Sequence, residues 1–129
     1  MYLLDTSALL AHFLSEPGAD EVARLIEEGH AWVAAVSWLE LRIRLQDLPG
    51  GAEVLTIYQE EMAGSVDITS QVAAAAFEVR QETNARLPMV AALIAGAARA
   101  RGFELVHRDQ HLAAIPATCL RQRLLPAIG

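Results

Sequence analysis

The chain has 129 residues, a net charge of −6 and 53% hydrophobic residues. This length is typical of a single domain, and the apolar fraction is too high for a disordered chain. No apolar run reaches the ~18 residues of a membrane-spanning helix, and the strand-like first residues do not look like a secretion signal. The negative charge argues against a protein that coats nucleic acid through its overall charge. We therefore expect one compact domain over residues 1–129, with no membrane segment.

The basic residues and the single cysteine exclude further classes. All ten basic residues are arginine. A phosphate-binding P-loop and a Schiff-base site both require a lysine, and a phospho-acceptor receiver domain needs one beside its acids, so these three are excluded. Cys119 rules out an intramolecular disulfide and is typical of a reducing cytoplasm. We expect a cytoplasmic protein in which Cys119 is a small, at least half-buried apolar residue.

Predicted strands and helices alternate along the chain. Strands are expected at 2–5, 31–36 and 103–107, with a short strand at 66–68 and an edge strand near 119–121. Helices are expected at 6–14, 19–28, 38–47, 52–63, 69–84 and 88–101, with a short one from Gln110; several of them end at glycine or proline. The alternation predicts a three-layer α/β/α sandwich around a mostly parallel sheet. The helix at 88–101 is apolar nearly all round, which predicts that it is buried.

A carboxylate stands at, or shortly after, the end of three predicted strands. Asp5 ends the first strand, Glu40 follows the strand at 31–36, and Asp109 follows the strand at 103–107. The carboxyl ends of parallel strands share one edge of the sheet, where ligands bind in open α/β folds. Clustered carboxylates repel one another unless a cation neutralises them, and hard divalent ions such as Mg²⁺ or Mn²⁺ prefer oxygen ligands. The pattern indicates a metal-dependent active site in which water attacks a phosphodiester.

Each acid also has a purely structural explanation when it is considered alone. Asp5 and Asp109 stand where the N-cap of the following helix is predicted. Ser37 and Glu40 have the spacing of a capping box, with serine at the cap and glutamate three residues later. Only the convergence of all three acids on one edge favours the metal site.

Other polar residues allow more than one interpretation. Thr6 and Ser7 either hydrogen-bond a substrate phosphate or metal-bound water, or cap a helix. Candidates for phosphate contacts are Arg42, Arg80, Arg86 and Arg108. His107 and His111 have the spacing of two zinc ligands on a helix, but His107 ends a strand, so the two side chains are expected to diverge.

Four short strings of the sequence together resemble the PIN-domain ribonucleases, and more narrowly the VapC toxins of bacterial toxin–antitoxin pairs. They are Leu3-Leu4-Asp5-Thr6-Ser7-Ala8-Leu9, Ser37-Trp38-Leu39-Glu40-Leu41, Leu87-Pro88 with Ala92-Leu93-Ile94-Ala95, and Leu105-Val106-His107-Arg108-Asp109. The resemblance implies a single PIN domain that is a Mg²⁺- or Mn²⁺-dependent endoribonuclease. It implies cleavage of structured RNA such as tRNA or rRNA, a homodimer, and silencing by a cognate VapB-type antitoxin. Asp5, Glu40 and Asp109 would be the catalytic, metal-binding acids.

The sequence departs from the family pattern at one position of the expected site. The family has an aspartate three residues after the proline, where this chain has Ala91. The resemblance therefore implies weaker metal binding and severely reduced cleavage, either because the aspartate was replaced by design or because it was lost naturally. An alanine that simply suits an alanine-rich helix is the structural alternative. The functional alternative is a natural pseudo-nuclease that only binds antitoxin or RNA.

Overall fold

The computed structural model describes residues 1–129 as five strands and seven helices that alternate along the chain. The strands are β1 (Tyr2–Leu4), β2 (Ala31–Ala34), β3 (Gly64–Val66), β4 (Glu104–His107) and β5 (Gln122–Leu124). The helices are α1 (Thr6–Phe13), α2 (Ala19–Glu27), α3 (Ala35–Leu45), α4 (Gly51–Glu61), α5 (Ser70–Glu82), α6 (Met89–Arg101) and α7 (Gln110–Ala113). None of these helices is both long and apolar enough to span a lipid bilayer.

The five strands form one sheet in the order β3-β2-β1-β4-β5, and every neighbouring pair is parallel. The predicted α/β/α sandwich is confirmed, with a sheet that is wholly rather than mostly parallel. Consecutive residues of β1 belong to different cores, since Leu4 packs in the cluster of 17 residues on one face and Leu3 in the cluster of 16 on the other. The order of strands reverses between β1 and β4, which makes the carboxyl ends of these two strands the expected place for a ligand.

The predicted burial of the apolar helix is confirmed. Helix α6 begins after Pro88, ends at Gly102 in the left-handed conformation (φ +68°), and buries most of its middle turns. It packs so closely on α5 that a Cβ atom on Gly96 would lie 2.7 Å from the backbone nitrogen of Ala76. This close packing fixes α6 against α5.

Two predicted boundaries are wrong, and both errors arise where pairing between distant segments decides the outcome. β2 ends at Ala34, which pairs with the last residue of β3, and α3 starts at the next residue. Ser37 is therefore inside the helix and not its N-cap, so the predicted capping box does not exist. The Ser37 hydroxyl is fully buried and has no hydrogen-bond partner. The short strand expected at 66–68 is shifted to Gly64–Val66, the stretch that pairs with β2, whereas the edge strand expected in the tail is present at Gln122–Leu124 and pairs with β4.

We expect the substitution Ser37→Ala to raise the free energy of unfolding by about 1 kcal/mol, because it removes a buried hydroxyl that lacks a partner. Urea unfolding measures this effect. The matched control is Thr69→Ala, since the Thr69 side chain does accept a bond from the Val72 N–H at 3.2 Å. That control should lose about 1 kcal/mol. A loss of the same size for Ser37→Ala would show that Ser37 caps α3.

Candidate active site

The three predicted acids lie around one cleft at the carboxyl edge of the sheet. Asp5 directly follows β1, and its N–H donates to the Val106 carbonyl of β4 at 3.0 Å. Asp109 lies two residues beyond β4, whereas Glu40 is carried by the second turn of α3 and reaches the cleft from the side. All three line the same cleft, which has a volume of about 650 Å³. The structure therefore brings together side chains that are far apart in the sequence, since Asp5 and Asp109 are separated by 104 positions.

Asp5 and Asp109 both cap helices, and each does so with only one carboxylate oxygen. Oδ2 of Asp5 accepts from the Ser7 N–H at 3.0 Å and from the Ser7 hydroxyl at 2.6 Å. Oδ1 of Asp109 accepts from the N–H groups of His111 at 2.7 Å and Leu112 at 3.2 Å. The second oxygen of each accepts no hydrogen bond from the protein. Capping and ligand binding are therefore compatible roles, because the cap uses one oxygen and leaves the other to the cleft.

Glu40 is held in the same way by a side chain of α1. Its Oε1 accepts from the Thr6 hydroxyl at 2.7 Å, and its Oε2 accepts no hydrogen bond from the protein. Ser7 also links the two strand ends, because its hydroxyl accepts from the backbone N–H of Arg108 at 2.9 Å while it donates to Asp5. In this structure Thr6 and Ser7 hold the acids through hydrogen bonds, and their predicted contact with a substrate phosphate or metal-bound water stays a prediction.

Burial is the main cause of the raised pKa values of Asp5 and Glu40. It raises the pKa of the Asp5 carboxyl, against the hydrogen bonds from Ser7, and the charge of Asp109 raises it further. Burial also raises the pKa of Glu40, against the Thr6 hydrogen bond, and the charges of Asp5 and Asp109 add to the rise. The three carboxylates repel one another in a partly desolvated cleft, so a bound cation would relieve the cost of ionising them.

The donor set fits a hard divalent cation that keeps part of its water shell. Each acid offers one oxygen with no partner in the protein, and carboxylate oxygens are the ligands that Mg²⁺ and Mn²⁺ prefer. No three His, Cys, Asp or Glu side chains are close enough together to form a ready-made metal cluster. Mg²⁺ commonly binds through one or two carboxylates and several waters, so a closed protein cage is not required for it.

The two histidines diverge, as the sequence indicates. His107 is fully buried; its Nδ1 accepts from the Asp109 N–H at 3.1 Å, and its Nε2 therefore donates to the Gln122 side chain at 2.6 Å. The ring thus ties β4 to β5, and His111 is exposed at the rim of the cleft. The pair does not form a zinc site.

Ala91 lines the same cleft as the three acids. It lies in the first turn of α6, where no acidic residue and no side-chain cap is present. The N-terminal turn of a helix carries a partial positive charge, so a carboxylate at this position would be stabilised by the helix as well as facing the other acids. The residue that departs from the family pattern is therefore located at the site itself.

The arginines of the cleft differ from those that the sequence suggested. Arg108 lines it, but its guanidinium donates to Glu16 at 2.5 Å and to the Pro17 carbonyl at 3.3 Å, so its charge is paired. None of the other three candidates (Arg42, Arg80 and Arg86) lines the cleft. Arg44 does line it and was not among them. Its spacing of four residues from Glu40, which places the two on one helix face, is the signal that identifies it.

We expect the substitution Asp5→Asn to stabilise the metal-free protein at neutral pH, because asparagine keeps the helix cap and removes a buried charge. A carboxyl whose pKa is raised on folding favours the folded state in acid, and this contribution is lost as the pH rises through the folded-state pKa. The gain should therefore be seen at pH 7 and disappear well below the ordinary pKa of Asp5.

Urea unfolding in the absence of divalent ions, at neutral and acidic pH, measures this difference. The control is Asp47→Asn, which changes the same charge at an exposed residue outside the cleft and should leave stability nearly unchanged. A variant at Asp5 that is less stable than the parent at pH 7 would contradict the electrostatic explanation.

Comparison with known proteins identifies similar sequences and folds. The family model of the PIN domain matches residues 2–117. A chain of the VapBC2 complex from Rickettsia felis, bound to a DNA fragment from its promoter, superposes with a TM-score of 0.77 at 17% identity, covering 95% of this chain and 97% of that one. For a chain of DNA-bound VapBC from Salmonella typhimurium the TM-score is 0.74 at 18% identity, covering 95% of this chain and 96% of that one.

A third similar structure is VapC20 of Mycobacterium tuberculosis, a toxin that cleaves the sarcin-ricin loop. Its TM-score is 0.62 at 14% identity, and the match covers 88% of this chain and 94% of that one. At these identities the likeness concerns the fold. No curated protein matches the chain in sequence.

Proposed function

This chain belongs to the PIN domain family, and on that premise we propose that it is a VapC-type toxin of a toxin–antitoxin pair, a metal-dependent endoribonuclease. Its substrate would be a structured RNA of the translation machinery, tRNA or rRNA, cut in the cytoplasm to inhibit translation. The observation that carries the proposal is the convergence of Asp5, Glu40 and Asp109 on one cleft, each with one oxygen held and the other free. Similarity of fold to a toxin that cleaves the sarcin-ricin loop supports the substrate class.

Asp5, Glu40 and Asp109 would hold the Mg²⁺ or Mn²⁺ ion. When bound, such an ion activates water for attack on a phosphodiester and stabilises the charge that develops on the phosphate. The protein's own contribution is orientation: Ser7 keeps one oxygen of Asp5 in place, and Thr6 does the same for Glu40. Each of these two anchors uses one carboxylate oxygen and leaves the other without a partner in the protein.

We further propose that Ala91 lowers the activity of this form. An aspartate there would add a fourth carboxylate to the cleft at the positive end of α6, and its absence leaves the cation with fewer ligands. Weaker metal occupancy and slower cleavage with an intact fold follow from this deficit. Alanine at position 91 also favours the second candidate function, a pseudo-nuclease that only binds RNA or antitoxin.

We expect the substitution Ala91→Asp to raise the rate of RNA cleavage by more than about tenfold, since altered metal-site residues typically change activity by at least this factor. Cleavage of total tRNA and of ribosomal RNA by both forms, with Mg²⁺ or Mn²⁺ and again with EDTA, measures the gain. EDTA should abolish it.

The matched control is Met89→Asp, which adds the same charge to the same helical turn at an exposed residue outside the cleft. It should cleave no faster than the parent chain. If the Ala91→Asp form is as inert as the parent with every ion, the nuclease proposal fails and the pseudo-nuclease remains.

A homodimer and a VapB-type antitoxin are the proposed protein partners. Exposed apolar side chains on α3 and α6, the helices that carry Glu40 and Ala91, support partner binding: Leu39, Ile43 and Met89 are each more than half exposed, at 59%, 56% and 70%. Large apolar surface that is exposed to water is typical of interaction sites. Several structures of similar fold are VapBC complexes, which supports an antitoxin as a partner.

We expect light scattering on the purified chain to give twice its monomer mass of 14.0 kDa at micromolar concentration. The charged variant Ile43→Glu, at one of the exposed apolar positions, should shift the population toward monomer. A mass of 14.0 kDa for the parent across the concentration range would contradict the homodimer.

A further inference from the structure

The two arginines that line the cleft are in different electrostatic states. Arg108 forms an ion pair with Glu16, and its side chain is only 15% exposed. Arg44 is exposed and lines the cleft without a hydrogen bond or a salt bridge, although its charge lowers the pKa of the Glu40 carboxyl. Arg44 therefore provides the unpaired positive charge of a cleft that four carboxylates also line.

The position of Arg44 follows from the face of α3 that meets the cleft. Glu40, Ile43 and Arg44 lie on this face at i, i+3 and i+4, and all three line the cleft. Arg44 does not pair with Glu40, one turn away, since Glu40 is turned toward the Thr6 hydroxyl. Arg42, two residues from Glu40, points to another side of the helix, is exposed, and does not line the cleft.

The negative charge of this cleft repels a polyanionic substrate such as RNA. Asp5, Glu40, Asp109 and Glu16 all line it, and a divalent cation offsets only part of their charge. An unpaired guanidinium at the rim gives an incoming phosphate one favourable contact, and its planar array of donors suits phosphate oxygens.

We propose that Arg44 is a substrate-binding residue that holds an RNA phosphate flanking the bond to be cut. This inference rests on the proposed ribonuclease function and adds to it a residue that contacts substrate without touching the metal. The acids and their cation act on the reacting phosphate, and Arg44 fixes the neighbouring part of the strand. Arg108 does not share this role, because Glu16 already satisfies its charge.

The test compares RNA binding by Arg44→Gln with that of Arg42→Gln, which removes the same charge from the same helix outside the cleft. The probe is a fluorescently labelled hairpin RNA, bound by this slow Ala91 form in Mg²⁺ and followed by fluorescence anisotropy over a range of salt. Arg44→Gln should weaken binding by about tenfold, as expected for one charged hydrogen bond. It should also lower the slope of log affinity against log salt by about one. Arg44→Lys should retain part of the affinity, and Arg42→Gln all of it.

A second measurement separates a substrate contact from damage to the metal site. Mg²⁺ should raise the thermal midpoint of Arg44→Gln as much as that of the parent, while Asp5→Asn should lose this shift. Equal weakening of RNA binding by Arg42→Gln, unchanged binding by Arg44→Gln, or a lost Mg²⁺ shift in Arg44→Gln would overturn the inference. So would an Arg44→Gln form that binds RNA normally and fails only to bind an antitoxin peptide.

The outcomes also separate this inference from the proposed function. If the parent binds the RNA and its Ala91→Asp form cleaves it, while Arg44→Gln has no effect, only the role of Arg44 is wrong. If the parent does not bind RNA and the Ala91→Asp form does not cleave it, both proposals are wrong.

Discussion

The parallel pairing of β1 with β4 is the constraint on which the rest of the site depends. The order of strands reverses at this pair, so the chain leaves both strands at the same place and in the same direction. Asp5 and Asp109 are the residues that start the next helices there, and Ser7 ties the two exits together through its hydroxyl. Without this pairing Asp5 and Asp109 would not lie at the same place on the sheet edge, and Glu40 would have no neighbouring carboxylate there.

The same arrangement lowers the stability of the folded protein when no cation is bound. Three carboxylates share a cleft in which burial disfavours the ionised forms of Asp5 and Glu40, and the three acids gain their hydrogen bonds from only two neighbouring hydroxyls and a few backbone N–H groups. Such an accumulation of like charge reduces stability unless a cation enters, which is the usual compromise between stability and activity at a functional site. Alanine at position 91 adds no further charge to this cluster.

Helix capping occupies one oxygen of Asp5 and one of Asp109 and leaves the other without a protein partner, so the two explanations of the sequence pattern are compatible for these acids. The caps fix the orientation of each carboxylate at no cost to its free oxygen. For Glu40 the capping explanation is wrong, and the Thr6 hydroxyl takes over the orienting role. In all three cases the hydrogen bonds that orient the acid come from neighbours in α1 or α7.

The sequence alone determined the alternation of strands and helices, the parallel sandwich, the burial of α6 and the three acids of the cleft. These features depend on local periodicity and on the rule that parallel strands share their carboxyl edge. The tertiary structure decided which arginine is free, because the pairing of Arg108 with Glu16 joins residues 92 positions apart. It also decided that Ser37 is buried inside α3 and that β5 begins at Gln122. Contacts between distant segments set these outcomes, and no local pattern of residues records them.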